Sequence, residues 1–277
     1  MIILGVKAMA QAPYPMPGRM VDAGGYRVHL HCTGQGSPTV MIAGAGFSFD
    51  WALVQPEAAK FTHVCTYDPA GMAWSEPGPS FSCPTRVDEL HNLVRNAKLD
   101  GPYVLVGLSV GALVARYYAA RFPDEVAGMV IVDHAFTNPG GARPADTSGP
   151  AVVQQTPIVI TVEDSSQFRN LPEQAQRLHR WADSLHPSLP TVEMADQCMA
   201  ALKAEEHGPN PLGDKPLVVI STGNQNRNYK KLQTELLTLS TRSEQLLATH
   251  SFHAVEIDEP EMVVQGIEQV VDLVRRH

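Results

Sequence analysis

Long hydrophobic runs, cysteines and positive charges are all scarce in this chain of 277 residues. No apolar stretch approaches the roughly 18 residues of a membrane-spanning helix, so no such span is expected. Lys and Arg number 21 against 29 Asp and Glu, which gives a formal net charge of −8. A chain of this acidic balance is a poor candidate for binding nucleic acid or anionic membranes, because both need clustered Lys and Arg; a locally basic groove stays open as the alternative. With 44% hydrophobic and 18% charged residues, the composition is that of a globular protein and excludes collagen-like or fibrous chains.

The chain has only four cysteines, and none of them forms a Cys-x-x-Cys pair: Cys32, Cys65, Cys83 and Cys198. This spacing argues against a structural zinc site and against a redox motif. Because a core of this size does not need disulfides, we expect four independent core cysteines, with a single bridge as the alternative.

The first residues bear on localisation. Ala8-Met9-Ala10 is similar to a signal-peptidase site. The apolar stretch from Ile2 to Val6 is shorter than the usual signal core of about 7–15 residues, and Lys7 lies on its wrong side. Two localisations stay open: cytoplasmic, or periplasmic or secreted if this segment is a truncated signal.

Residues 1–18 are rich in proline and lack periodicity, which predicts a mobile arm. From Met20 to Cys32 the polarity alternates around Gly24-Gly25, which predicts an antiparallel hairpin. His29 and His31 share one face of this hairpin. We expect a solvent-facing strand surface there, with metal binding as the alternative.

Most of the remaining chain alternates between buried strands and helices. Short runs that are apolar on both faces predict strands covered on both sides. They are Thr39–Ala43, Val64–Tyr67, Tyr103–Leu108, Met129–Val132, Leu217–Ser221 and, more weakly, Leu246–Thr249. Helix-like segments lie between them: Trp51–Lys60, Pro84–Lys98, Val110–Arg121 and Glu261–Arg275. The alternation predicts an α/β fold, a mostly parallel sheet with helices on both faces.

Residues 136–214 interrupt this rhythm with a Gly/Pro-rich loop and two amphipathic segments, Pro172–Leu185 and Thr191–Glu206. We interpret them as an inserted helical lid. The core is then formed by residues 19–135 and 215–277.

The strongest chemical signal is Gly107-Leu108-Ser109-Val110-Gly111, a G-x-S-x-G pentapeptide between a predicted strand and a predicted helix. The tight turn between these elements would raise the Ser109 hydroxyl above the sheet edge, with the Val110 N–H at the positive end of the helix. Ser109 is therefore the candidate nucleophile. A serine hydroxyl needs a base to activate it and a third group to orient that base. After the last strand pattern, both His250 and His253 are candidates for the base.

Several segments, in matching order and spacing, carry a resemblance to a known family. They are VDAGGYRVHLHCTGQGSPTV, AGAG with the following Trp51, CTYDPAGMAWSEPGP, GPYVLVGLSVGALVARYYAARFPDEVAGMVIVD and SFHAVEIDEPEMV. Over roughly residues 19–276 the chain resembles the α/β-hydrolase superfamily, in particular bacterial serine hydrolases of the carboxylesterase and pimeloyl-ester-esterase type. The resemblance implies a Ser…Asp/Glu…His triad, an oxyanion hole, no cofactor and no metal.

The resemblance also assigns the triad. His253 occupies the position of the family histidine, with His134 as a lesser rival. The usual acid position, after Leu217–Ser221, holds no carboxylate in this chain. The resemblance then points to Asp133, an alternative location in the superfamily. An amide from Asn224 or Asn226 stays open as the orienting group.

Two backbone N–H groups should form the oxyanion hole. Val110 would supply one and Ala45 the other, with Phe47 as the alternative to Ala45. The family commonly has a His where this chain has Ala43, and often an Arg where it has Pro69. Gly44-x-Gly46 is not a dinucleotide fingerprint because the third glycine of that pattern is absent.

These residues predict a serine hydrolase that acts on small carboxylic esters. A serine at position 109 disfavours dehalogenase and epoxide-hydrolase chemistry, for which the superfamily uses Asp. Phe47, Phe168, Trp181 and Met194 are the candidate substrate-binding residues, with packing in the lid's own core as the alternative. A ligand-binding module with slow or lost catalysis, a peptidase and a C–C bond hydrolase are the other functions considered. The expected partner is a small-molecule ester, and the sequence makes no prediction of oligomeric state.

Overall fold

The protein is described as a computed structural model that covers residues 12–43, 46–134, 167–185, 191–223, 225 and 227–276. Across these residues the strands form an eight-stranded sheet in the order β1-β2-β4-β3-β5-β6-β7-β8. The strands are β1 (Arg19–Asp22), β2 (Arg27–Thr33), β3 (Val40–Ile42), β4 (Val64–Asp68), β5 (Tyr103–Leu108), β6 (Val126–Val132), β7 (Leu217–Thr222) and β8 (Ser243–Ala248). β1 and β2 pair antiparallel, as do β2 and β4, and β3 to β8 run parallel. The predicted fold class and its hairpin are confirmed.

Helices cover both faces of the sheet. The α-helices of the described residues are α1 (Gln55–Ala58), α2 (Cys83–Asn96), α3 (Val110–Arg121), α4 (Glu173–Leu185), α5 (Thr191–Glu205), α6 (Arg227–Glu235), α7 (Val255–Asp258) and α8 (Pro260–Arg275). Alternate strand residues divide the core, because successive side chains point to opposite faces. Leu105 packs in the cluster with α2, α3 and α5, whereas Val104 and Val106 pack in the cluster with α1 and α8. No helix in the described ranges is both long and apolar enough for a membrane span.

The cysteines are paired, contrary to the expectation. Cys32 and Cys65 face each other across β2 and β4, with their Cα atoms 4.0 Å apart. Cys83 of α2 is bonded to Cys198 of α5, with Cα atoms 5.1 Å apart. The prediction of four independent cysteines, or of one bridge, was wrong because the pairing depends on strand register and on helix packing. Neither of these can be read from the sequence separations of 33 and 115 residues.

The expected solvent-facing surface on β2 was also wrong for His29, which is fully buried. Its Nδ1 lies 2.7 Å from Asp68 Oδ2, and its Nε2 lies 2.5 Å from the carbonyl oxygen of Pro17. The last residues of the predicted arm therefore contact the body of the protein. Tyr14, from the same segment, packs beside an aromatic cluster.

The two amphipathic segments form α4 and α5, close to the predicted limits. α5 packs against α2 and α3, and the Cys83–Cys198 disulfide joins it to α2. α4 packs instead on a 3-10 turn at Ser48–Trp51, which follows β3. The predicted Gly/Pro-rich loop lies outside the described residues. Of the two described helices of the predicted lid, α4 therefore packs on the loop after β3 and is called the cap helix below, while α5 contributes to the main core.

Candidate active site

Ser109 lies at a strained turn between β5 and α3. Its φ of 53° and ψ of −119° are unusual for a residue with a side chain, and conformations of this kind cost about 1–3 kcal/mol. The turn is held by a hydrogen bond from the Ser109 N–H to the Val132 carbonyl at 3.0 Å. A Cβ at Gly107 would lie 2.6 Å from the backbone of Ala112, so only glycine fits there. Such strain is typical of functional sites, and it supports the sequence-based choice of Ser109.

Asp133 and His253 lie together at the same edge of the sheet. Asp133 follows β6 directly and is fully buried, whereas His253 follows β8 and its side chain is about half exposed. His253 Nδ1 is 2.6 Å from Asp133 Oδ2. β5 and β6 are parallel neighbours, and their last residues, Leu108 and Val132, are paired. Ser109 and Asp133 therefore follow the two strands side by side.

The other carboxylate oxygen of Asp133 is held by side chains that the sequence did not indicate. Thr222 Oγ1 donates to Asp133 Oδ1 at 2.8 Å, and Gln233 Nε2 donates to the same atom at 2.5 Å. The Tyr229 hydroxyl donates to the Asp133 carbonyl at 3.3 Å and to Oδ2 at 3.4 Å. Burial and the Asp133 charge raise the pKa of Tyr229, so this hydroxyl keeps its proton. These contacts direct Oδ2 towards His253.

The rival residues are placed differently. His250 is mostly exposed, and its Nδ1 lies 3.3 Å from Glu259 Oε2. His134, which directly follows Asp133 in the sequence, is buried. Asn224 and Asn226 lie outside the described residues, so the amide alternative keeps the status of a prediction.

Of the two predicted oxyanion donors, Val110 lies within the described residues. Val110 is the first residue of α3, where a backbone N–H has no acceptor within the helix. The Phe47 N–H donates to Asp50 Oδ2 at 2.8 Å, so this amide is already engaged. Ala45 lies outside the described residues and stays the predicted second donor.

An aromatic cluster lies between α4 and the loop after β3. Phe47 and Phe49 stack with ring centroids 5.0 Å apart, and Trp74 and Trp181 lie 5.3 Å apart. Phe168 packs against the same cluster, as does Ala254, the neighbour of His253. A cavity of about 490 Å³ borders this cluster, and Phe49, Trp74 and Leu178 form part of its wall.

Met194 does not join the other three candidate substrate-binding residues. It is buried in the main core with residues of α2 and α3. The structure thus brings Phe47, Phe168 and Trp181 together, and places Met194 in a different layer.

Residues 39–201 match a family model described as the alpha/beta hydrolase fold. A relative of unknown function from Bacillus subtilis (strain 168), YqjL, is 24% identical over 249 residues, which cover 87% of this chain and 86% of the relative. A 2-hydroxy-6-oxo-2,4-heptadienoate hydrolase from a Pseudomonas putida strain is 31% identical over 121 residues, covering 42% of this chain and 44% of that protein. Among solved structures, an esterase from Thermogutta terrifontis is 21% identical with a TM-score of 0.65, covering 92% of this chain and 98% of the esterase.

Proposed function

We propose that this chain, which belongs to the α/β-hydrolase fold family, is a serine hydrolase that cleaves small carboxylic esters through an acyl-enzyme intermediate. The family membership makes the chain a hydrolase; the ester specificity and the residue roles are the proposal. The observation that carries it is the 2.6 Å contact between His253 Nδ1 and buried Asp133, at the sheet edge where strained Ser109 lies.

In the first half of the reaction, His253 Nε2 removes the proton of the Ser109 hydroxyl as Ser109 Oγ attacks the ester carbonyl carbon. The carbonyl oxygen becomes an oxyanion, stabilised by the N–H groups of Val110 and Ala45. The bond to the alcohol oxygen then breaks, and the imidazolium returns its proton to the leaving alcohol.

In the second half, water attacks the acyl-enzyme with His253 again as the base, which releases the carboxylic acid and restores Ser109. Asp133 holds the imidazole with its proton on Nδ1 and stabilises the imidazolium charge. Thr222 and Gln233 donate hydrogen bonds to Oδ1 of Asp133, which holds the carboxylate in this orientation. These side chains and water complete the chemistry without a cofactor.

The aromatic cluster sets the proposed substrate class. The side chains of Phe47, Phe168 and Trp181 carry no charge and form an apolar surface next to Ala254 and so near His253. An ester with a neutral, apolar acyl or alcohol portion would bury that portion against this surface.

A second candidate is hydrolysis of an activated carbon–carbon bond, which can use the same triad. The 121-residue similarity to a hydrolase of 2-hydroxy-6-oxo-2,4-heptadienoate favours including it in the test. It differs from the first candidate in the substrate that the cap accepts.

The experiment is a series of p-nitrophenyl esters from acetate to decanoate, with amide and lactone counterparts and a 2-hydroxy-6-oxo dienoic acid. Wild type should hydrolyse the esters fastest. Ser109→Ala should fold normally, because it removes one oxygen at a turn, and should lower kcat by at least roughly 10³-fold. A Ser109→Ala variant that keeps more than about a tenth of the activity would contradict the choice of nucleophile. Faster turnover of the dienoic acid would favour the second candidate.

A further inference from the structure

An ion pair joins the cap helix to the loop after β3. His179 of α4 places Nε2 2.5 Å from Asp50 Oδ1, and both side chains are largely buried. The other oxygen of Asp50 accepts the Phe47 N–H at 2.8 Å. One carboxylate therefore binds the cap with one oxygen and the backbone beside the proposed oxyanion donor with the other.

The fit between Asp50 and this loop is close. A Cβ at Gly46 would lie 2.4 Å from Asp50 Oδ2, so the carboxylate lies directly against the loop backbone. The Ser48 N–H donates to Asp68 Oδ1 at 2.7 Å, which fixes the far end of the same loop to the sheet. The near end is fixed by Asp50, which also contacts the cap.

The ring of His179 is surrounded by aromatic side chains. Its centroid lies 4.2 Å from that of Phe168, 5.1 Å from that of Phe47 and 5.5 Å from that of Phe49. Movement of α4 would therefore displace Phe47 and Asp50 together.

Besides Asp50 itself, on the 3-10 turn, two acidic groups bear on the protonation of this pair: Asp183 on α4 and Glu256 on α7. Burial alone lowers the pKa of His179, but the Asp50 charge, a hydrogen bond to Asp183 and the Asp183 charge outweigh it and raise that pKa to about 9. Burial raises the pKa of Glu256 well above its usual value, and the nearby Asp50 raises it further, so the Glu256 carboxyl favours its neutral form. His179 is then the cationic partner of Asp50 at neutral pH.

We propose that His179 is a positioning residue, which through Asp50 fixes the Gly46-Phe47 backbone, the stretch that directly follows the predicted oxyanion donor Ala45 in sequence, and so couples the seating of α4 to catalysis. This inference rests on the proposed serine-hydrolase function. It predicts that catalysis requires the contact between α4 and Asp50, because a loosened Asp50 would release the Gly46-Phe47 backbone.

The test compares His179→Gln and Asp50→Asn with wild type on p-nitrophenyl acetate, a substrate too small to need the cap for binding. His179→Gln keeps a hydrogen-bond donor but not the charge, and Asp50→Asn keeps an acceptor for the Phe47 N–H. Both should lower kcat by roughly 10–100-fold with little change in KM, since a misplaced donor mainly affects the transition state. In wild type, kcat should fall as pH rises through about 9, where His179 loses its proton; neither variant should show this alkaline fall.

The matched control is His91→Gln. His91 is also partly buried and lies 3.2 Å from a carboxylate, that of Glu125, but on α2 away from the site. It should leave kcat and the alkaline fall unchanged. Variants at His179 and Asp50 that lose thermal stability but keep the kcat and pH profile of wild type would overturn the inference, because the pair would then be structural. Labelling of wild-type Ser109 by a fluorophosphonate separates the two failures: an unreactive Ser109 overturns the proposed function and this inference together, whereas a reactive Ser109 with normal variants overturns this inference alone.

Discussion

At the scale of single residues, the account depends on how Asp133 is held. Its carboxylate is fully buried, and it has donors on both oxygens: Thr222 and Gln233 at Oδ1, and His253 at Oδ2. A buried carboxylate with these partners can orient an imidazole and stabilise its positive charge without taking up the proton. Asp133 is the least conventional member of the proposed triad, and its substitution is the most informative.

Asp133→Asn should keep the shape of the site but stabilise the wrong tautomer of His253 and remove the negative charge. We expect kcat to fall by roughly 10²–10⁴-fold with little change in KM. The measurement is steady-state kinetics on the preferred ester. Asn224→Ala and Asn226→Ala serve as the comparison and should be mild; a near-normal Asp133→Asn beside a crippled Asn variant would assign the orienting role to an amide.

Part of this site could be predicted from the sequence. Ser109 is indicated by glycines that permit the turn, and His253 and Asp133 by the resemblance and by the ends of predicted strands. Thr222, Tyr229 and Gln233 could not be found, because their role depends on how β7 and α6 bring distant residues to one carboxylate. The pairing of His29 with Asp68 was missed for the same reason, since alternation along a strand does not reveal what covers it.

At the scale of elements, the two described helices of the predicted lid differ in how they pack. α5 packs into the main core and is bonded to α2, whereas α4 lies above the loop after β3. The sequence predicted both helices from their apolar periodicity, but not α6, whose residues Arg227–Glu235 are mostly polar and exposed. α6 packs on β7, and its Gln233 and Tyr229 both donate hydrogen bonds to Asp133. Such tertiary contacts are invisible to periodicity.

Trp181→Ala and Met194→Ala form a matched pair that separates the two helices. Trp181 packs with the aromatic cluster, so its truncation should change the preferred acyl length with little loss of stability. Met194 is buried in the main core, and its truncation should lower the free energy of unfolding by about 2–5 kcal/mol and leave the preference unchanged. The measurements are the ester series and urea unfolding. If both variants only lost stability, Trp181 would be a core residue and the assignment of the substrate surface would be wrong.

At the scale of the whole molecule, two disulfides join parts that are distant in sequence. One crosses neighbouring strands and the other joins the insertion to α2. Disulfides persist in oxidising compartments, so their presence favours the periplasmic or secreted alternative that Ala8-Met9-Ala10 left open. Localisation stays a prediction. Strands β3 to β7, by contrast, could be predicted from their apolar runs because they are buried on both faces, whereas their order in the sheet was not predicted.

Replacing Cys83 and Cys198 by Ser should lower the free energy of unfolding by about 4–5 kcal/mol, because the bridge closes a long loop in the unfolded chain. The Cys32–Cys65 disulfide closes a shorter loop, so replacing both of its cysteines should lower the free energy of unfolding by about 1 kcal/mol less. Urea unfolding without reductant measures both. Alkylation of the unfolded, unreduced wild type should modify no thiol, and modification of all four would show that the cysteines are not paired.

The central claim is that Ser109 is an activated nucleophile, and covalent labelling tests it most directly. Folded wild type is treated with a fluorophosphonate, and the modified peptide is identified by mass spectrometry. The account predicts stoichiometric modification of Ser109 in wild type and strongly slowed modification in His253→Gln, because the serine hydroxyl depends on that base. A folded protein in which Ser109 stays unmodified, or reacts equally fast without His253, would contradict the claim and favour a ligand-binding module of this fold.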